Sequence, residues 1–117
     1  MGGGSQEIND GRVWLISRKT KINPHLVNML FSIDGFDRII SDYGDLKKIT
    51  AQDLYELVDY MDLSYGNRCL DKEFKERFIK KNGSDAFVEF KRRSRVLFKV
   101  KKALVNSINF ERGASID

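Results

Sequence analysis

The sequence predicts an all-α protein: a compact bundle or helical-repeat-like array of about five helices, with a long C-terminal helix. Apolar residues recur at i, i+3, i+4 and i+7 in successive segments, which is the spacing of one helical face. Short glycine-containing turns separate these segments, while the chain has one proline and no sustained apolar–polar alternation. The length of 117 residues suits a single domain.

The first two predicted helices are short and follow each other directly. Asn23 and Pro24 are the residue types preferred at the N-cap and first position of a helix. Gly35 is expected to end this helix, because glycine readily adopts the left-handed conformation found after a helix end. The second helix then has apolar residues on one face (Phe36, Ile39, Ile40 and Tyr43) and is expected to end at Gly44.

The third and fourth predicted helices have polar signals at their ends. Thr50 and Asp53 occupy the positions of a capping box, with Asp where Glu or Gln is commoner. Residues 65–67, which read Tyr-Gly-Asn, are expected to end the third helix. The fourth is expected from about residue 70 to residue 81, with Asn-Gly after it.

The fifth predicted helix begins at Ser84 and runs to about Asn109 without glycine or proline. At about 100° per residue, with Phe90 at zero, an apolar face forms within roughly 80° of it. That face contains Leu97, Val100, Leu104 and Ile108. Five cations, here called the basic stripe, lie between about 100° and 200°: Lys91, Arg92, Arg95, Lys99 and Lys102. Phe87, Phe98 and Val105 are expected between the two faces, where they widen the apolar side.

Separate predictions apply to the two ends of the chain. Residues 1–5 read as an expression leader, and residues 111–117 as a flexible tail beyond a helical domain of residues 23–110. Residues 6–22 are expected to form an N-terminal arm, whose apolar run around Trp14 suits a strand, a helical turn or an extended segment. Trp14 either covers the core of the bundle or is exposed as an anchor for a partner.

Charge is distributed unevenly along the chain. Residues 22–65 have a net charge of −5, whereas residues 66–117 have a net charge of +7. This asymmetry indicates either pairing within the molecule or a bipolar surface that orients a partner.

The composition argues against several classes of function. A single cysteine, Cys69, and a single histidine, His25, exclude an internal disulfide, a multi-cysteine zinc site and a two-histidine metal site. The acids of residues 34–45 lack the central glycine and closing Glu of a calcium loop. We therefore expect a non-enzymatic protein without a cofactor, metal or small-molecule ligand. Because the sequence shows no signal peptide and no membrane span, we expect an intracellular protein, cytoplasmic or nuclear.

The segment from Leu26 to Ile79 resembles a known type of helical repeat. Around Gly35-Phe36, a helix with small apolar clusters ends at a Gly-Phe step and the next helix begins at once, as in armadillo-like proteins. The pattern is similar to the helical N-terminal region of large ubiquitin-specific proteases of the fat-facets type. The resemblance implies a non-catalytic, partner-binding segment of a longer protein, since the sequence has neither a protease Cys box nor a His box.

The basic stripe is the main candidate for function. It suits a solvated surface, an acidic protein partner, nucleic-acid phosphates or an anionic membrane surface. We predict a protein–protein interaction module that uses an acidic surface (residues 34–62) and a basic one (residues 91–102) to bind an acidic protein partner. The alternative is a nucleic-acid-binding protein that contacts phosphates through the same helix. The candidate partner-binding residues are Lys91, Arg92, Arg95, Lys99, Lys102 and Trp14.

Overall fold

The structure, a computed structural model, describes the backbone of residues 8–69 and 71–116 and the side chains of residues 8–63 and 71–111. The described chain forms six α-helices and one 3-10 turn, without a β-strand. The helices are α1 (Gly11–Thr20), α2 (Pro24–Phe31), α3 (Phe36–Tyr43), α4 (Ala51–Cys69), α5 (Lys72–Asn82) and α6 (Ser84–Ile116), and the 3-10 turn is Leu46–Lys48. The all-α fold and the long C-terminal helix are confirmed. The expected leader, residues 1–5, lies outside the described residues.

The N-terminal segment is helical and packs into the main core. Asp10 caps α1, because its carboxylate accepts a hydrogen bond of 2.9 Å from the backbone N–H of Arg12. Val13 and Ile16 are fully buried in the same core as the later helices. Of the three conformations that the sequence left open for this segment, the structure has the helix.

The paired short helices form where the sequence predicts them. The side chain of Asn23 accepts a 2.8 Å hydrogen bond from the backbone N–H of His25, so it caps α2 as expected. Gly35 separates α2 from α3 with a φ of 94°, a conformation that L-residues with a side chain rarely adopt. This turn places Phe36 in the core, where it is fully buried.

Helix α4 begins as predicted but ends later. The backbone N–H of Asp53 donates to Thr50 Oγ1 at 3.0 Å, and the N–H of Thr50 donates to Asp53 Oδ2 at 3.3 Å, which completes the capping box. The helix then continues through residues 65–67 to Cys69, so the predicted end was wrong. A glycine inside a helix costs only about 1 kcal/mol relative to alanine, which neighbouring helical turns offset.

The main core lies between α4 and α6, and the first three helices cover its remaining side. Apolar side chains from both helices meet there: Leu54, Val58 and Met61 from α4, and Val96, Leu97, Val100 and Leu104 from α6. Each is at most 4% exposed. The apolar face predicted for the last helix from Leu97 to Leu104 is thus confirmed.

A second, smaller cluster of four phenylalanines joins α5 to the first turns of α6. The Phe78 ring lies 5.3 Å from Phe90 and 5.9 Å from Phe87, and the Phe74 ring lies 5.5 Å from Phe90, measured between centroids. Helix α5 has no buried residue of its own, and these ring contacts join it to α6.

Helix α6 therefore packs against α5 at its start and against α4 and α2 farther along, and its buried face turns along its length. From Val96 onward the buried side chains are centred roughly 70° away from Phe90, at about 100° per residue. Phe98 and Val105, expected to widen the apolar side, are instead 59% and 39% exposed. The backbone of α6 is helical to Ile116, through most of the expected tail.

Candidate functional site

The basic stripe forms one outward surface of α6. Lys91, Arg95, Lys99 and Lys102 are exposed and Arg92 is half-buried. The eleven-residue interval from Lys91 to Lys102 corresponds to about 16 Å of helix. Phe98 lies within this surface. We call these six residues the binding face.

Four of the five cations in the binding face form no ion pair with any other described residue. The exception is Arg92, whose Nη2 lies 2.7 Å from Glu89 Oε2 and whose Nε lies 2.9 Å from Glu89 Oε1. This hydrogen-bonded pair raises the pKa of Arg92 and lowers that of Glu89. Lys91, Arg95, Lys99 and Lys102 thus present four positive charges from one side of the molecule.

Pairing between the acidic and basic halves of the chain is made by a different lysine. Lys101 Nζ lies 2.7 Å from Asp59 Oδ1 and 3.2 Å from Asp62 Oδ2, which crosses from α6 to α4. The hydrogen bond to Asp59 is the largest cause of a raised pKa at Lys101.

The other two acids of α4 with described side chains, Asp53 and Glu56, are hydrogen-bonded to other residues. Asp53 accepts a 2.6 Å hydrogen bond from the Tyr43 hydroxyl, and Glu56 accepts one of 3.2 Å from the Gln52 amide. Within the described side chains, therefore, the internal pairing that the charge pattern suggested does not use the basic stripe.

An aromatic side chain lies among the cations. Phe98 is 59% exposed, and Lys102 Nζ lies 5.6 Å from the centroid of its ring. The sequence analysis had placed Phe98 between the apolar and basic faces, where it was expected to widen the apolar side. That placement was wrong because it assumed a single packing partner for the whole helix.

A groove runs along one edge of the binding face. It has a volume of about 250 Å³ and is lined by Arg92, Arg95, Val96 and Lys99 of α6 and by Met29 of α2. The three cations are spaced i, i+3 and i+7, so they are neighbours on the helix surface. Val96, only 3% exposed, and Met29 are the two apolar side chains of the lining. No sequence signal pointed to Met29, because its position depends on how α2 packs against α6.

Trp14 lies on α1, separate from this groove. Its side chain is 47% exposed, and its Nε1–H donates a 3.0 Å hydrogen bond to the backbone carbonyl of Ile8. The neighbouring Val13 and Ile16, rather than Trp14, fill the core. Trp14 therefore presents a partly exposed ring, but the described contacts do not join it to the binding face.

Other features of the described chain give weaker indications of a functional site. A larger groove of about 470 Å³ is mostly apolar, with Ile22, Leu26, Ala103 and Phe110 in its wall. Among the described residues, no group of three His, Cys, Asp or Glu side chains is placed to hold a metal ion. No helix in the described part is both long and apolar enough to cross a bilayer. The side chain of Cys69 lies outside the described residues.

Comparisons with protein-family models, with curated proteins and with solved structures find no significant match to this chain. The resemblance of residues 26–79 to an armadillo-like region therefore stays a prediction. The case for function depends on the geometry of the binding face.

Proposed function

We propose that the protein is a non-enzymatic interaction module whose binding face docks an acidic surface of a protein partner. The observation that supports this most is the contrast in charge pairing on α6. Lys101 is paired with Asp59 and Asp62, whereas the four exposed cations of the face form no ion pair with a described residue. An unpaired row of like charges is complementary to carboxylates and speeds association with them.

The apolar side chains of the face favour a protein over a nucleic acid. Phe98 offers one exposed ring, and Val88 and Val105 add aliphatic surface on the same side of the helix. Aromatic and aliphatic anchors surrounded by charges are typical of protein interfaces. Binding of single-stranded nucleic acid relies on several rings for successive bases, and the described face has one.

Nucleic acid is the second candidate, supported by the row of cations itself. If Lys91, Arg95, Lys99 and Lys102 each contacted a phosphate of duplex DNA, the logarithm of the affinity would fall with the logarithm of salt concentration with a slope of about −3 to −4. Raising the salt concentration would weaken binding at a protein interface with an apolar centre less than it weakens binding to DNA.

The test is a binding titration of the wild-type protein against a Glu-rich peptide and against random-sequence DNA over a salt series. The face variant carries Lys91→Gln, Lys99→Gln and Lys102→Gln. Its matched control changes three exposed lysines of α5: Lys72→Gln, Lys80→Gln and Lys81→Gln. Both variants lose the same net charge.

We expect the peptide to bind the wild type and the α5 control alike, and the face variant at least about tenfold more weakly, since charge complementarity contributes through local contacts. Preference for DNA with the steep salt slope would favour the second candidate. Equal loss in both variants would contradict a role for this particular face.

A further inference from the structure

We propose that the groove beside the binding face takes a phosphorylated side chain of the partner, a phosphoserine or phosphothreonine within its acidic segment. The inference deepens the proposed function and rests on it. Three cations line the groove: Arg92, Arg95 and Lys99. A phosphate monoester carries a charge of about −1.5 to −2 at pH 7, so it suits several neighbouring cations better than a single carboxylate does.

The kind of cation also favours a phosphate. Two of the three are arginines at i and i+3, and guanidinium groups bind phosphate oxygens through paired hydrogen bonds. Clusters of arginines are a recurrent solution for recognising phosphorylated side chains. Lys99, one turn farther on, supplies a third donor that can rotate toward the remaining oxygen.

The size and lining of the groove limit what enters it. Its volume of about 250 Å³ lies below the roughly 300–1,000 Å³ of most small-molecule sites, so a single side chain fits it better than a nucleotide. Val96 and Met29 are apolar and would contact the carbon atoms beneath the phosphate. This lining favours the methyl group of phosphothreonine over phosphoserine.

Glu89 regulates access in this proposal. Its carboxylate accepts hydrogen bonds from Arg92 through both oxygens, at 2.7 to 3.1 Å. One of the three cations that line the groove is therefore already paired. An incoming phosphate must compete with this carboxylate. Glu73, whose carboxylate lies 3.8 Å from the guanidinium of Arg77 on α5, forms a looser and more exposed pair away from the groove and provides a control for the change in net charge.

The experiment measures the affinity of three versions of one Glu-rich peptide whose central residue is phosphothreonine, glutamate or threonine. For the wild type we expect the phosphothreonine peptide to bind about tenfold more tightly than the glutamate peptide. A methyl NMR spectrum of the methionines should show Met29 shifting most with the phosphorylated peptide.

Two pairs of variants assign this preference to the groove. Arg95→Gln with Lys99→Gln should reduce the phosphothreonine-to-glutamate ratio to near one. Lys91→Gln with Lys102→Gln, on the other side of the face, should weaken all three peptides while keeping the ratio. Glu89→Gln should tighten binding of the phosphorylated peptide several-fold more than Glu73→Gln does.

The outcomes separate the two proposals. If the glutamate peptide binds but phosphorylation adds nothing, or the ratio survives in the Arg95 and Lys99 variant, the groove proposal is wrong and the acidic-partner proposal stands. If no version of the peptide binds, both are wrong. If DNA displaces the phosphorylated peptide at equal phosphate concentration, the groove recognises nucleic-acid backbone instead, which also overturns the proposal.

Discussion

Lys101 and Lys102 are adjacent in the sequence, yet one is paired with acids of another helix and the other is exposed. Lys101 points back to α4, is 20% exposed in its side chain and bridges Asp59 and Asp62. Lys102 is exposed and lies over the ring of Phe98. A rotation of about 100° around one helix separates a charge that is paired within the fold from one that is exposed to solvent. The inward side of α6 and the binding face can therefore be tested independently.

The largest loss of stability is expected from substitutions on the buried side of α6. Leu97→Ala and Leu104→Ala each remove a fully buried side chain between α6 and α4, so each should cost roughly 2–5 kcal/mol of unfolding free energy. Chemical denaturation measures this directly. Phe98→Ala, at an exposed position about 100° around the same helix from Leu97, is the control and should change stability far less. A loss below about 1 kcal/mol at both leucines would show that α6 is turned differently from the structure.

A smaller loss of stability is expected when the charge of Lys101 is removed. Lys101→Gln leaves Asp59 and Asp62 close together without their shared cation, which should cost about 1–2 kcal/mol. Because the pKa of Lys101 is raised in the fold, its stabilisation is present below its unfolded pKa and is lost as pH rises through the folded value. Denaturation of both proteins from pH 7 into the alkaline range should therefore show their difference shrinking at high pH. A difference that grew with pH would contradict the assigned pairing.

A change at Tyr43 tests whether the acids of α4 are engaged within the molecule. Tyr43→Phe removes the hydroxyl that donates to Asp53 and should cost about 1 kcal/mol at neutral pH. The hydrogen bond lowers the pKa of Asp53 and raises that of Tyr43 to about 12. The stabilisation should therefore fade as acid protonates Asp53 and as alkali ionises Tyr43.

A carboxyl NMR titration checks the same contact. The pKa of Asp53 should rise toward its ordinary value in the Tyr43→Phe variant. An unchanged pKa at Asp53 would mean that the hydroxyl does not reach it in solution.

The sequence predicted the local elements well because their signals are local. Asn23 at the start of α2 and Gly35 after it are each explained by bonds or backbone angles within a few residues. The capping box of Thr50 and Asp53 belongs to the same class, although Asp replaces the usual Glu. The end of α4 was missed because the cost of one glycine is small compared with the helix around it.

The candidate site was only partly predictable, because it depends on how the helices pack. The angular pattern identified all five cations of the stripe, but one helical wheel cannot represent a helix that meets α5 first and α4 later. For this reason Phe98 was placed beside the core and Lys101 was left out of the internal pairing. Met29 enters the groove only through the tertiary contact of α2 with α6.

The most direct test of the account is the unfolding free energy of the variant with Lys91→Gln, Lys99→Gln and Lys102→Gln, measured at low and high salt beside Lys101→Gln. If the binding face is reserved for a partner, the triple variant should change the unfolding free energy by no more than about 0.5 kcal/mol per substitution, with no loss that shrinks in high salt. Gln keeps good helix propensity, and removing like charges from one face relieves repulsion. Lys101→Gln should be less stable, with a loss that shrinks in high salt. A salt-sensitive loss in the triple variant as large as that of Lys101→Gln would show that these cations stabilise the fold, and would contradict the account.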